Sequence, residues 1–181
     1  MINIPNAITI LRVIFIPVIV IYLLHGYDRM ALWFFLAAGI SDALDGFLAR
    51  TLRQKTYLGA IMDPIADKLL LDSIYSVAAY RQLIPDWLAV IVVSRDVFIL
   101  IGFLILSFFK KKLEVRPSLP GKLTTFAQIC TIVLILWRPQ YAYAPWVFLF
   151  TAAITCLSGL HYLYIGLQRL SETYMHSPHS K

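Results

Sequence analysis

The chain has 181 residues, of which 60% are hydrophobic and only 14% charged, and it carries a formal net charge of +6. That composition lies far outside the soluble range, and it excludes a basic nucleic-acid-binding module, which would need a polar face that this chain lacks. What remains is an all-α integral membrane protein whose surplus Lys and Arg meet anionic lipid headgroups.

Six apolar runs have the length of about 20 residues that a helix needs to cross a bilayer. They are expected near residues 7–25, 30–50, 58–80, 86–109, 122–138 and 145–168, as a six-transmembrane-helix bundle. The first lacks a basic leader and a small-residue cleavage site, so it reads as a retained span rather than a signal peptide. Pro5-Asn6 is expected to supply a turn and cap before the first span, and Asp28 to cap the second. Pro85-Asp86 opens the fourth and Pro120-Gly121 the fifth, while Pro145 falls in the first turn of the sixth. One membrane domain is expected over 1–170, followed by a polar, disordered tail over 171–181. Cys130 and Cys156 fall mid-span and read as small packing residues.

Basic residues in the connections set the orientation. With six spans, one side holds Arg50, Arg53, Lys55, Lys110, Lys111, Lys112, Arg116, Lys122, Arg169 and Lys181, whereas the other holds Arg29, Arg81 and Arg138. The richer side is expected to be cytoplasmic, with both termini there, in the inner membrane of a bacterium.

The second and third runs carry residues that an apolar span does not explain. Asp42 and Asp45 are three apart, Asp63 and Asp67 four apart, so each pair shares one face of its helix. A lone carboxylate in such a segment costs at least ~2.5 kcal/mol on insertion scales. Arg50 and Lys68 are too few to neutralise four acids, so divalent cations are the first inference. Mg²⁺ or Mn²⁺ takes oxygen ligands, and a pair of such ions can clamp the attacking and leaving oxygens of a phosphoryl displacement. Gly46 lies about 40° round the helix from Asp42, and Ala49 and Gly59 keep the neighbouring positions small enough for a flat ligand. Arg50 suits phosphate oxygens. Spacing alone also admits a divalent-cation transporter, since intramembrane carboxylates mark ion pathways.

The motif Asp42-x-x-Asp45-Gly46-x-x-Ala49-Arg50, eight residues, then Gly59-x-x-x-Asp63-x-x-x-Asp67 resembles the signature of the CDP-alcohol phosphatidyltransferases. The resemblance extends to Ile4-Pro5-Asn6-x-x-Thr9-x-x-Arg12, Ser94-Arg95 and Gly121-Lys122-x-x-Thr125-x-x-Gln128, which are similar to the phosphatidylglycerophosphate synthase and eukaryote-type cardiolipin synthase branches. It implies a six-helix fold and a reaction that joins a CDP-activated lipid to an alcohol and releases CMP. It further implies that Asp42, Asp45 and Asp63 ligate two metal ions, with Asp67 contributing and serving as the base for the acceptor hydroxyl. Asp42, Gly46, Ala49, Arg50 and Gly59 would line the CDP pocket.

The acceptor is expected to be anionic, met by Arg95, Arg116 and Lys122. Branch members using glycerol-3-phosphate commonly carry a second Lys where this chain has Thr124, and an Arg near the apolar Gly102–Phe103. Those departures favour phosphatidylglycerol, while the overall resemblance puts glycerol-3-phosphate first. The expected partners are therefore CDP-diacylglycerol, one of these two acceptors and the surrounding membrane lipids; a homodimer is compatible with this reading.

Overall fold

The structure, a computed structural model, describes the backbone of residues 4–52, 57–109, 119–137 and 143–175, and the side chains of 11–41, 65–102, 119–137 and 143–165. These residues form six helices and no strands: α1 (Ile4–Leu24), α2 (Asp28–Leu52), α3 (Tyr57–Tyr80), α4 (Asp86–Phe109), α5 (Leu119–Trp137) and α6 (Ala144–Met175). Each falls on one of the expected runs.

The outermost helix ends depart from expectation. α1 already begins at Ile4, so Pro5 and Asn6 lie inside its first turn instead of preceding it. Proline is tolerated there because the first N–H groups of a helix have no intrahelical acceptor. α6 runs on to Met175, through Ser171–Met175 that had been assigned to the tail. Extending an existing helix adds a hydrogen bond for each residue fixed, so polar residues can continue it beyond the apolar stretch.

The bundle closes as a ring. Among the described residues α1 packs against α2 and α3, α3 against α4, α4 against α6, α6 against α5, and α5 against α2, with a further contact of α5 on α3. The two helices that carry the acidic pairs are therefore both neighbours of α1.

Apolar side chains fill the core of the bundle and also cover its outside, while several polar and charged ones are buried. Large apolar side chains such as Trp33, Val90, Phe98, Phe126, Phe150, Leu157 and Leu160 are exposed, whereas Arg12, Arg95, Asp96, Thr124, Gln128, Thr131, Thr151, Thr155 and Ser158 are buried. Such an arrangement suits a lipid exterior, where association relies on close packing and interhelical hydrogen bonds. Thr131 and Thr151 join α5 to α6 through their hydroxyls at 2.8 Å, and Thr124 Oγ1 reaches the Ile154 carbonyl at 3.3 Å. Among the described residues two segments, Leu119–Trp137 and Ala144–Ile165, are long and apolar enough to cross a membrane, with mean hydropathies of 1.6 and 1.5. Cys130 and Cys156 are free thiols.

The α1–α2 and α3–α4 connections are stapled together. Asp28, expected as the cap of α2, is instead its first helical residue, since Ala31 N donates to the Tyr27 carbonyl, and its carboxylate accepts from the Arg81 guanidinium. The turn before it reverses at Gly26, whose φ of 82° is a left-handed value that glycine adopts without steric cost.

Candidate active site

The acidic residues lie on consecutive helices. Asp42 and Asp45 fall in the second half of α2, followed along the same helix by Gly46, Ala49 and Arg50, while Gly59 and Asp63 fall in the first turns of α3. The side chains of these seven residues lie outside the described residues, and so does Arg116 altogether. Asp67, Arg95 and Lys122 are described in full.

Asp67 is held from α1. The Arg12 guanidinium donates to its Oδ1, with the Arg12 side chain 3% exposed and that of Asp67 46% exposed. A guanidinium buried in an apolar bundle requires a compensating charge, and Asp67 supplies it. A carboxylate offers about four lone-pair sites, so the Arg12 contact does not exhaust the acceptor capacity of the half-exposed Asp67.

One residue further along α3, Lys68 starts a second cluster. Its Nζ donates to Asp96 Oδ2 at 2.8 Å. The other oxygen of Asp96 accepts from Arg95 Nη1 at 2.5 Å, and Arg95 Nη2 donates to Ser158 Oγ of α6 at 2.7 Å. The Tyr162 ring covers the guanidinium, with its centroid 5.6 Å from Cζ, within cation–π range. Asp72 also lies within electrostatic reach of Lys68, Arg95 and Asp96. Two cations thus face two carboxylates, a balance that lets all four occupy a low-dielectric interior.

The structure therefore turns Asp67 and Arg95 into the bundle from different helices. Lys122 stays exposed near the start of α5, with no ion pair among the described residues. Thr124 is fully buried in the α5–α6 seam, so that position contributes a hydroxyl between helices and no cation. Among the described residues no three metal-ligating side chains cluster; three of the four motif carboxylates lie outside that set. The donor set itself suits a hard divalent cation, and Asp67, the one motif carboxylate whose side chain is described, is half exposed.

Sequence reasoning gave no role to Arg12 or Ser158. A signal for Arg12 was present, because an ionisable residue eight positions into an apolar span marks a functional site by default. Ser158 had none, being one of several small polar residues on α6.

The profile of the CDP-alcohol phosphatidyltransferase family matches residues 2–157. The chain is 36% identical to the CDP-diacylglycerol--glycerol-3-phosphate 3-phosphatidyltransferase of Escherichia coli K12, over 89% of this chain and 93% of that protein. It is 38% identical to the Salmonella typhimurium protein of the same name, with the same coverage of both. With human cardiolipin synthase (CMP-forming) it shares 29% identity over 91% of its own length, and it spans only 62% of that larger protein.

Proposed function

The chain belongs to the CDP-alcohol phosphatidyltransferase family, and from that premise we propose that it transfers the phosphatidyl group of CDP-diacylglycerol to an alcohol with release of CMP. Glycerol-3-phosphate is the first acceptor, as in a phosphatidylglycerophosphate synthase. The near end-to-end correspondence with the two bacterial relatives supports that choice. Phosphatidylglycerol, the cardiolipin synthase acceptor, is the second reading, favoured by the buried Thr124 hydroxyl where a further cation would serve a dianionic acceptor.

The observation that carries the reaction is an Asp67 anchored from α1 yet half exposed, on the helix that also bears Asp63. In the transfer the acceptor oxygen bonds to the phosphorus that carries the diacylglycerol, the bond from that phosphorus to the CMP oxygen breaks, and the hydroxyl proton passes to the Asp67 carboxylate. Asp42, Asp45 and Asp63, with Asp67 contributing, would hold two Mg²⁺ or Mn²⁺ ions, whose chemistry when bound is to neutralise charge on the diphosphate. Arg50 pairs with phosphate oxygens, and Gly46, Ala49 and Gly59 leave room for the nucleotide. Arg95, Arg116 and Lys122 bind the anionic part of the acceptor.

The six helices span the inner membrane of a bacterium, with both termini and the acidic face in the cytoplasm. The distribution of loop Lys and Arg supports this. So do the exposed Tyr27, Tyr80, Trp87, Trp137, Tyr143 and Trp146, which fall at the α1–α2, α3–α4 and α5–α6 connections, where amphipathic rings anchor a membrane interface.

The deciding experiment supplies purified protein with CDP-diacylglycerol and each acceptor in mixed micelles and follows CMP. Release with glycerol-3-phosphate is expected. Cardiolipin and CMP from phosphatidylglycerol, with no product from glycerol-3-phosphate, would establish the second reading. No CMP with any alcohol, together with cation flux in liposomes, would make the protein a transporter.

A further inference from the structure

We propose that Asp96 is a positioning residue for the acceptor, through the carboxylate it shares between Lys68 of α3 and Arg95 of α4. This deepens the reading above and rests on it, since it takes Arg95 as a group that meets an anionic acceptor.

The two ends of such an acceptor are handled by different helices. Its hydroxyl must reach Asp67 on α3, and its anionic group must reach Arg95 on α4. The separation between those points has to match the acceptor, because reacting atoms misplaced by about 1 Å can cost a hundredfold in rate. Lys68 directly follows Asp67, and its ammonium lies 2.8 Å from Asp96 Oδ2. Asp96 in turn directly follows Arg95 and holds its Nη1. The salt link therefore joins the residues adjacent to both working groups and fixes α3 and α4 at one mutual height.

The same carboxylate also aims the guanidinium. Arg95 is only 7% exposed, with one edge on Asp96, a second nitrogen on Ser158 and a face against Tyr162. On α6, Gly159 packs beside its stem: a Cβ added there would stand 3.5 Å from Arg95 Cγ, an ordinary van der Waals contact. Arg95 Nε is buried and has no hydrogen-bond partner among the described residues. A buried donor without a partner costs the desolvation of its N–H, and an acceptor oxygen would satisfy it. Holding the guanidinium in advance fixes its plane before the anion arrives, so that only the packing over its Nε edge has to open.

A structural ion pair and a positioning residue differ in kinetics. With the full chain in mixed micelles, Asp96→Asn keeps the shape and removes the shared charge. It is expected to raise the acceptor KM by about tenfold or more, the scale of a lost charge-assisted hydrogen bond, with the KM for CDP-diacylglycerol within about twofold of wild type on the same scale. Asp96→Glu should recover part of the loss. Ser158→Ala leaves every charge in place and should raise the acceptor KM by about threefold, the low end for a bond to a charged donor. Variants that lose only thermal stability, or in which both KM values rise together, would overturn the proposal. If Asp96→Asn does not fold, Ser158→Ala decides alone, and an unchanged acceptor KM there overturns it. A wild-type protein that releases no CMP with either acceptor overturns the function itself, so the two failures are distinguishable.

Discussion

Replacing Arg12 by Met tests whether Asp67 depends on its anchor. Met keeps an unbranched stem but ends two atoms short of Arg, so the apolar packing of the stem is kept and the guanidinium is what disappears. Removing one partner of a fully buried pair costs about 3–5 kcal/mol, because the other charge is stranded. Here the survivor is 46% exposed and can be hydrated, which brings the expected destabilisation down to about 1–3 kcal/mol. The larger effect falls on turnover. A general base contributes ~10²–10⁴-fold, and a base that has lost its charged anchor on α1 loses much of that, so Arg12→Met should lower kcat by about 10²-fold. CMP release at saturating CDP-diacylglycerol and acceptor measures this, with melting in detergent as the control. Asp67→Asn should fall at least as far while leaving CDP-diacylglycerol binding largely intact. Turnover within twofold of wild type in folded Arg12→Met would refute the reasoning, since Asp67 would then need no support from α1.

Three further outcomes follow from the same geometry. Asp42→Asn, Asp45→Asn and Asp63→Asn should each abolish CMP release, and chelator should do the same to wild type until Mg²⁺ or Mn²⁺ is restored, since each amide keeps the shape but loses a charged oxygen. Arg81→Met breaks the partly buried pair with Asp28 and should cost about 1–2 kcal/mol, read as a lower melting temperature with both KM values unchanged. Gly26→Ala places a Cβ no nearer than 3.8 Å to Arg81 Nη2, so its cost is all backbone, about 1 kcal/mol for a left-handed alanine, and CMP release should be unaffected.

The sequence made the helices legible because apolar length is a local property. All six were placed, and the errors fell at Asn6, Asp28 and Ser171, where polar residues read as boundaries but helical hydrogen bonding continues. The acidic motif was legible through spacing. Its support was not: Arg12 and Asp67 are 55 residues apart, and nothing in either run says that α1 faces α3. The ring order was equally hidden, since lipid-facing and interior positions of these helices differ mainly by residue size. Arg95 was legible as a charge within an apolar run; Ser158 as its partner follows only from the packing of α4 on α6.

The ring also implies an order of assembly. Helices α1 to α4, made first, form an arc running α2, α1, α3, α4, and α5 and α6 close it by docking on α2 and α4. The Asp67 anchor and the Lys68–Asp96 link lie wholly within the arc, whereas Ser158 and Tyr162 arrive on the last helix. A chain halted after α4 can thus build its acidic half yet leave Arg95 without two of its neighbours. On the acceptor role proposed for Arg95, uptake of the alcohol would then wait for α6, the last helix to be made.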